Sequence, residues 1–262
     1  MIPIDVPQFL LSGAPALYCA GLVVGFDALM QRRSSDAART EGTRNAALSG
    51  GKPVHRSSQG ERLRVSVAES PEAIREALEL VRRRYEWRGY ETDHGALEHR
   101  SGLRPNAHEI TLLAQRGDQA LGTVTLRLDG PSGLRADHVY GEELAAVRAD
   151  GRHVCELTRL AMAETADWKT VLASLLSLGY AIGRTIHAVT DVFIEVNPRH
   201  VSFYQRTIGF SIAAGERFCE RVAAPAVLLQ LELAALEERL RLTPPAAASA
   251  GTVHWPFKQA AA

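Results

Sequence analysis

The stretch Ile194-Glu195-Val196-Asn197-Pro198-Arg199-His200-Val201-Ser202-Phe203-Tyr204-Gln205-Arg206-Thr207-Ile208-Gly209-Phe210 decides the architecture. Residues 192–196 are a short apolar run of the length of a buried strand. Asn197-Pro198 then reads as a helix start. An asparagine side chain satisfies an orphan amide there, and proline suits the first helical position, where no N–H is needed. An amphipathic helix follows to about Ile208, and Gly209-Phe210 closes it. Upstream, residues 168–186 predict a long, very apolar helix, and residues 154–162 a further strand. Strand, helix, strand in succession is a βαβ unit, whose two strands lie parallel in one sheet.

Outward from this unit, residues 63–68 alternate apolar and polar side chains as a strand does. Ser70-Pro71 starts a helix, and Ile74, Leu78, Val81 and Tyr85 mark one of its faces. Residues 109–114 and 121–128 predict two strands joined at Gly117-Asp118, a hairpin signal. Residues 210–213 predict a short strand and 226–233 the last one. The expected order is β-α-(loop or helix)-β-β-β-α-β-α-β-β. Hairpins first and βαβ later imply an α/β fold, a mixed sheet with helices on both faces.

Composition narrows the function classes. The 262 residues suit one domain with extensions, and 46% hydrophobic residues supply a sizeable core. Lys+Arg and Asp+Glu both number 30. A general nucleic-acid binder would show a basic excess, so no nucleic-acid partner is expected. Cys19, Cys155 and Cys219 are far apart and lack metal-ligand spacing. No metal and no disulfide framework are indicated, and a cytoplasmic location fits.

Two segments carry unexpected charge. In Cys155-Glu156-Leu157-Thr158-Arg159-Leu160-Ala161-Met162 an acid and an arginine lie inside an apolar strand. Residues three apart point to opposite faces of a regular strand. Either the two charges act on different faces, or a bulge brings them together, and bulges cluster beside active sites. Arg83-Arg84-Tyr85-Glu86-Trp87-Arg88-Gly89-Tyr90-Glu91 mixes arginines, acids and aromatics at a helix end. By itself it reads as a solvated terminus with a cap at Gly89. Tyr204, by itself, reads as a core tyrosine with a satisfied hydroxyl.

The 194–210 stretch resembles the final βαβ of the acetyltransferase superfamily, with its strand-ending Asn and its Tyr on the next helix before Gly-Phe. The fuller string is similar to the long-chain N-acyl amino acid synthases. So are residues 155–162 with Arg148 and Gly151 upstream, LRLDGPSGLRADHVYGEEL, and RRYEWRGYE. The likeness covers roughly residues 62–235. It implies an acetyltransferase-like (GNAT) mixed sheet, splayed between the strands at 154–162 and 192–197, and an acyltransferase joining a long fatty acyl group to an amino acid amine. The related acyl-homoserine lactone synthases share a Glu-x-Ser/Thr-Arg signature, which Glu156-Leu157-Thr158-Arg159 fits. They also carry an Arg before an aromatic on the first helix, a role open to Arg83 or Arg84.

On this resemblance Glu156 is the expected general base and Tyr204 the proton donor to the leaving thiolate. Arg159 either binds the amino acid carboxylate or orients Glu156. Thr158, Arg84, Asn197 and Arg199 are further substrate-binding positions. Backbone amides at a bulge would hold the oxyanion. No cofactor is expected to stay bound, the acyl thioester being a substrate.

Ordinary acetyltransferases grip coenzyme A pyrophosphate with a glycine-rich loop at a helix N-terminus. The matching residues, Met162-Ala163-Glu164-Thr165-Ala166-Asp167-Trp168-Lys169, contain no glycine and carry two acids. This favours acyl carrier protein over coenzyme A as donor, with Lys169 and Arg206 meeting the phosphopantetheine phosphate. Arg82, Arg83, Arg84 and Arg88, or Lys169 with Arg184 and Arg206, are the expected docking patch. The alternatives are homoserine lactone formation, acetyl transfer from coenzyme A, and a non-enzymatic carrier-binding module.

Outside the expected domain (62–243) lie an apolar arm (1–30), a polar linker (31–61) and an Ala/Pro-rich tail (244–262). Residues 6–26 hold no charged side chain, but Pro15 interrupts them and no basic region precedes them, so a secretory signal is not expected. The arm either packs on the domain or a second subunit, or makes a peripheral membrane contact.

Overall fold

The computed structural model describes residues 61–87, 108–165 and 167–240. The expected arm, the tail, Arg88 and Gly89 lie outside the described residues. Seven strands form one sheet: β1 (Leu63–Val67), β2 (Glu109–Arg116), β3 (Gln119–Leu128), β4 (Val154–Met162), β5 (Asp191–Val196), β6 (Ser211–Cys219) and β7 (Ala224–Glu232), in the spatial order β1-β2-β3-β4-β5-β7-β6. All neighbouring pairs are antiparallel except β4 and β5. The helices are α1 (Pro71–Trp87), α2 (Asp137–Ala149), α3 (Trp168–Tyr180), α4 (Val201–Phe203) and α5 (Leu233–Leu240).

Local chemistry sets the boundaries. The Ser70 hydroxyl accepts the Ala73 amide at 3.1 Å, and Pro71 opens α1. The Asn197 side chain accepts the Arg199 amide, as the Asn-Pro pair predicts. The segment after it is less regular than a single helix: a 3₁₀ turn over Pro198–His200, α4, then a π turn over Tyr204–Ile208. Gly209, at φ 99°, ends it in a left-handed turn that a side chain would strain. The expected helix 168–186 is α only to Tyr180 and continues as a π segment, Ala181–Ile186.

Three differences from expectation concern length and count. α2 falls between β3 and β4, where no helix was expected. Only Tyr140 and Leu144 are buried from it. α5 follows β7 directly. β6 runs to Cys219 rather than ending near 213, because its outer residues face solvent and lack an apolar signature.

Strand alternation divides the core. Leu112, Cys155, Val192, Ile194, Val227 and Leu229 point to the side covered by α3 and α5. Leu113 and Ala161 pack under α1 on the other side, and Val154, Phe193 and Leu228 under α2. α3 fits closely, since a Cβ at Gly122 would lie 2.9–3.0 Å from Met162, Leu175 and Val171. Among the described residues no helix is long and apolar enough to cross a membrane.

Candidate active site

β4 and β5 pair only at Val154–Asp191, Cys155–Val192 and Glu156–Phe193. Beyond Glu156 the strands separate, so among the described residues β4 has no ladder partner on that side. The expected splayed parallel pair is present.

On its other edge β4 carries a bulge. Thr125 pairs with Thr158 and Thr123 with Ala161, so two steps along β3 meet three along β4. Arg159 takes the extra place at φ 55°, a strained conformation for a residue with a side chain. The extra residue flips the alternation: Leu157 packs on the α3 side, and Leu160 and Met162 do so too. Arg159 therefore falls on the same face as Glu156, the α1/α2 side. Of the two expected arrangements, the bulge is the one found.

The two charges are held by different partners. Glu156 is 1% exposed. One of its oxygens accepts the Arg135 amide at 2.6 Å and the Ala136 amide at 3.4 Å. Arg159 donates to Glu109 at 3.2 Å. Orientation of Glu156 thus comes from the backbone ahead of α2 and not from Arg159, a correction to one of the two expected roles. Glu109 also receives Arg127 at 2.5 Å and Arg135 at 3.2 Å, so three guanidinium groups share one carboxylate. Burial raises the Glu109 pKa, but Arg159, Arg135 and Arg127 outweigh it and hold it below the usual carboxylate value. Burial lowers the Arg159 pKa, and neighbouring Arg135 adds to that. Burial lifts Glu156 to about 7, the charge of Glu195 adds to the rise, and Arg221 opposes it.

A cavity of about 440 Å³ occupies the splay, within the range of small-molecule sites. It is lined from both faces of the sheet. Arg84, Arg135, Glu156, Arg159, Glu195 and Arg221 supply the polar side. Leu160, Trp168, Leu172, Leu176, Ile194 and Ile208 are among the apolar residues on the α3 side. Tyr204 lines this apolar side, its ring edge-on to Phe203 at 5.2 Å and Phe210 at 5.9 Å. Among the described residues no cluster of potential metal ligands occurs.

Of the expected site residues, Glu156, Thr158, Arg159, Arg84, Asn197 and Tyr204 line this cavity. Arg84, not Arg83, is the α1 arginine that reaches it. Arg199, Lys169 and Arg206 do not belong to its wall. Arg199 donates to the His200 ring at 3.3 Å, Arg206 to the Ser202 carbonyl at 3.2 Å, and Lys169 lies 5.8 Å over the Trp168 ring. The sequence reading missed Glu109, Arg135, Glu195 and Arg221. Glu195 carried the same signal as Glu156, an acid inside an apolar strand. Arg135 carried none, because a loop arginine is ordinarily solvated.

The acids after β4 also need correction. Glu164 pairs with Arg84 at 3.0 Å, and Asp167 pairs with Arg116 and Thr165. Their expected repulsion of pyrophosphate is therefore largely offset, and only the missing glycine still argues against a pyrophosphate cradle.

A family model described as N-acyl amino acid synthase FeeM matches residues 76–232. The chain belongs to this family. The FeeM synthase from uncultured soil microbes is similar in structure at 26% identity and TM-score 0.62, over 70% of this chain and 96% of that one. An acyl-CoA N-acyltransferase from Pseudomonas aeruginosa matches at 14% identity and TM-score 0.44, over 65% and 99%. The acyl-homoserine lactone synthase LasI matches at 16% and 0.46, over 66% and 91%. No curated protein matches the chain. The fold is the acetyltransferase-like (GNAT) fold, and the FeeM-family chain is an N-acyltransferase that uses an acyl donor and an amine.

Proposed function

We propose that this protein transfers a long fatty acyl group from acyl carrier protein to the α-amine of an amino acid. The observation that carries the reading is the division of the cavity. One face of the sheet presents hydrocarbon, the other a buried group of charges, and the two meet where β4 and β5 part. An N-acyl amino acid has the same division, with its amide at the junction.

In this reading the amine attacks the thioester carbon and the C–S bond breaks. Of the ammonium's three protons, one stays on the amide, one ends on the thiol, and one leaves through Glu156 to solvent. A carboxylate with a pKa of about 7 is matched to that step near neutral pH. Arg159 and Arg135, which share Glu109, receive the amino acid carboxylate. Arg84, Thr158 and Asn197 border the acceptor as further contacts. Amides of β4 beyond Glu156, released from the ladder by the splay, face the developing oxyanion. Tyr204 hands a proton to the leaving thiolate from the apolar side.

The donor assignment rests on the glycine-free loop at 162–169, which obstructs close approach of backbone amides to a pyrophosphate. Arg82 is bound to Glu79 and Glu86, and Arg184 to Glu237, which removes them from the expected docking patch. Lys169 and Arg206 remain to meet an acidic carrier and its phosphate, and Arg83 is paired more loosely, 3.8 Å from Glu79. Arg199 is left with the cap of α4. The test is a kinetic comparison of one acyl chain on carrier protein and on coenzyme A, with the proteinogenic amino acids as acceptors and product mass as readout. Carrier protein is expected to be preferred, with rates that fall as salt rises. Equal use of coenzyme A, with little salt dependence, would overturn the donor assignment.

A further inference from the structure

Glu195 lies on β5 two residues beyond Phe193, the last residue paired with β4, so its side chain shares the face of Glu156 across the splay. The side chain is 7% exposed and lines the cavity. One carboxylate oxygen receives Arg221. The other, Oε1, is buried with no hydrogen-bond partner among the described residues. A buried carboxylate oxygen without a donor is costly and uncommon. It is relieved by a ligand that brings N–H groups to it.

The surroundings select the ligand's charge. Glu156 and Glu195 are close enough for Glu195 to act on Glu156 electrostatically. Arg221 pairs with Glu195, while the hydrogen bonds to Glu156 come from backbone amides. The two carboxylates therefore differ in their partners, one a guanidinium and one a pair of backbone amides. The guanidinium groups of Arg135 and Arg159 stand on the other side of Glu156, toward β2 and β3, and suit an anion. A zwitterion fits this arrangement in one orientation, ammonium toward Glu195 and carboxylate toward the arginines.

We infer that Glu195 is the acceptor-ammonium subsite: its free oxygen holds the substrate nitrogen beside Glu156, which then removes the proton. This rests on the proposed amino acid acylation and adds a residue that binds the reacting nitrogen and fixes its place before attack. No bond changes at Glu195 itself, and the proton balance given above is unaltered.

The experiment uses the full chain, a carrier-bound dodecanoyl donor and the amino acid that turns over fastest in the acceptor panel. Its des-amino carboxylic acid serves as a competitive inhibitor. Glu195→Gln is expected to raise the amino acid KM by about 10–100-fold, the scale of a lost charge-assisted hydrogen bond. It should leave the des-amino acid's inhibition constant nearly unchanged. It should also move the acidic limb of kcat/KM to lower pH, since a charge that raises the Glu156 pKa is gone. Glu195→Asp, which keeps the charge, should restore part of the KM. Because Glu195→Gln deprives Arg221 of its carboxylate partner, the double variant Glu195→Gln/Arg221→Gln is measured beside it and should show the same selective loss for the amine. If both variants weaken amino acid and des-amino acid equally, or neither changes KM or the limb, the subsite is overturned. A wild-type enzyme that acylates no amino acid would instead sink the parent reading before any variant is tested.

Discussion

The two sides of the cavity are built by different rules. The α3 side is a surface of Leu, Ile and aromatic residues, continuous with the largest core cluster and fixed by strand alternation and one apolar helix. The α1/α2 side is a set of charges gathered from β2, the loop before α2, β4, β5 and the segment after β6. The first can be filled by any apolar chain of suitable length. The second works only if each charge keeps its partner, because a buried charge that loses one costs several kcal/mol. The apolar side thus tolerates variation that alters preference, whereas the charged side is sensitive to single atoms.

The sharpest way to break that contrast is Glu156→Gln. It replaces one oxygen, leaves the apolar side untouched, and keeps an acceptor for the Arg135 and Ala136 amides. Turnover should fall by roughly 10²–10⁴-fold, the usual contribution of a positioned general base. In the parent enzyme kcat/KM should rise with pH through about 7 as Glu156 ionises. Near-normal turnover of the variant, measured by product formation at saturating donor, would reduce Glu156 to a structural carboxylate.

The same contrast explains what was legible in the sequence. The βαβ unit, the hairpin and the caps at Ser70 and Asn197 depend on neighbours in the chain, so periodicity and cap chemistry locate them. The bulge was only one of two readings of Glu156 and Arg159, since period-2 geometry says the two charges conflict but not how the conflict resolves. Arg135 and Glu109 are 26 residues apart and meet only through the sheet. Glu195 on β5 and Arg221 in the turn between β6 and β7 are likewise 26 apart. No local rule names such partners. α2 was missed for a related reason: only Tyr140 and Leu144 are buried from it, and much of its fixation comes from Arg148 bound to Asp129 and Asp137.

A second prediction concerns the stability cost of the charged side. The Glu156 carboxyl has a pKa of about 7 in the folded protein, above the ordinary 4.5. Between these values the folded state binds more protons than the unfolded one, so stability falls as pH rises through that window. The loss is absent below about pH 4.5 and complete above about pH 7, where it is on the order of 3 kcal/mol. Glu156→Gln should therefore match the parent in melting temperature near pH 4 and exceed it by several degrees at pH 8. The difference between the two proteins cancels the opposite trend of acids held low, such as Glu109 and Asp137. A variant no more stable at pH 8 than the parent would mean that Glu156 is not buried as an anion.

The smallest effect belongs to the apolar side. Leu172 lies on α3, lines the cavity and belongs to the main core cluster, 2% exposed. Leu172→Phe adds volume on the hydrocarbon wall without adding a polar atom. Overfilling a packed wall costs about 1–3 kcal/mol, some of it relieved by intruding into the empty space. An acyl chain loses what the intrusion displaces, about 0.8 kcal/mol for each methylene forced out of apolar contact, or roughly fourfold in kcat/KM. Displacement of one or two methylenes predicts a loss of about 4–15-fold for the longest donors and little change for the shortest. The amino acid KM and the pH limb near 7 should stay where they are, because both belong to the other side. Rates across a series of carrier-bound acyl chains would measure this. A uniform loss at every chain length, or a shift in amino acid KM, would show that the two sides are coupled and that the cavity acts as one site rather than two joined at the splay.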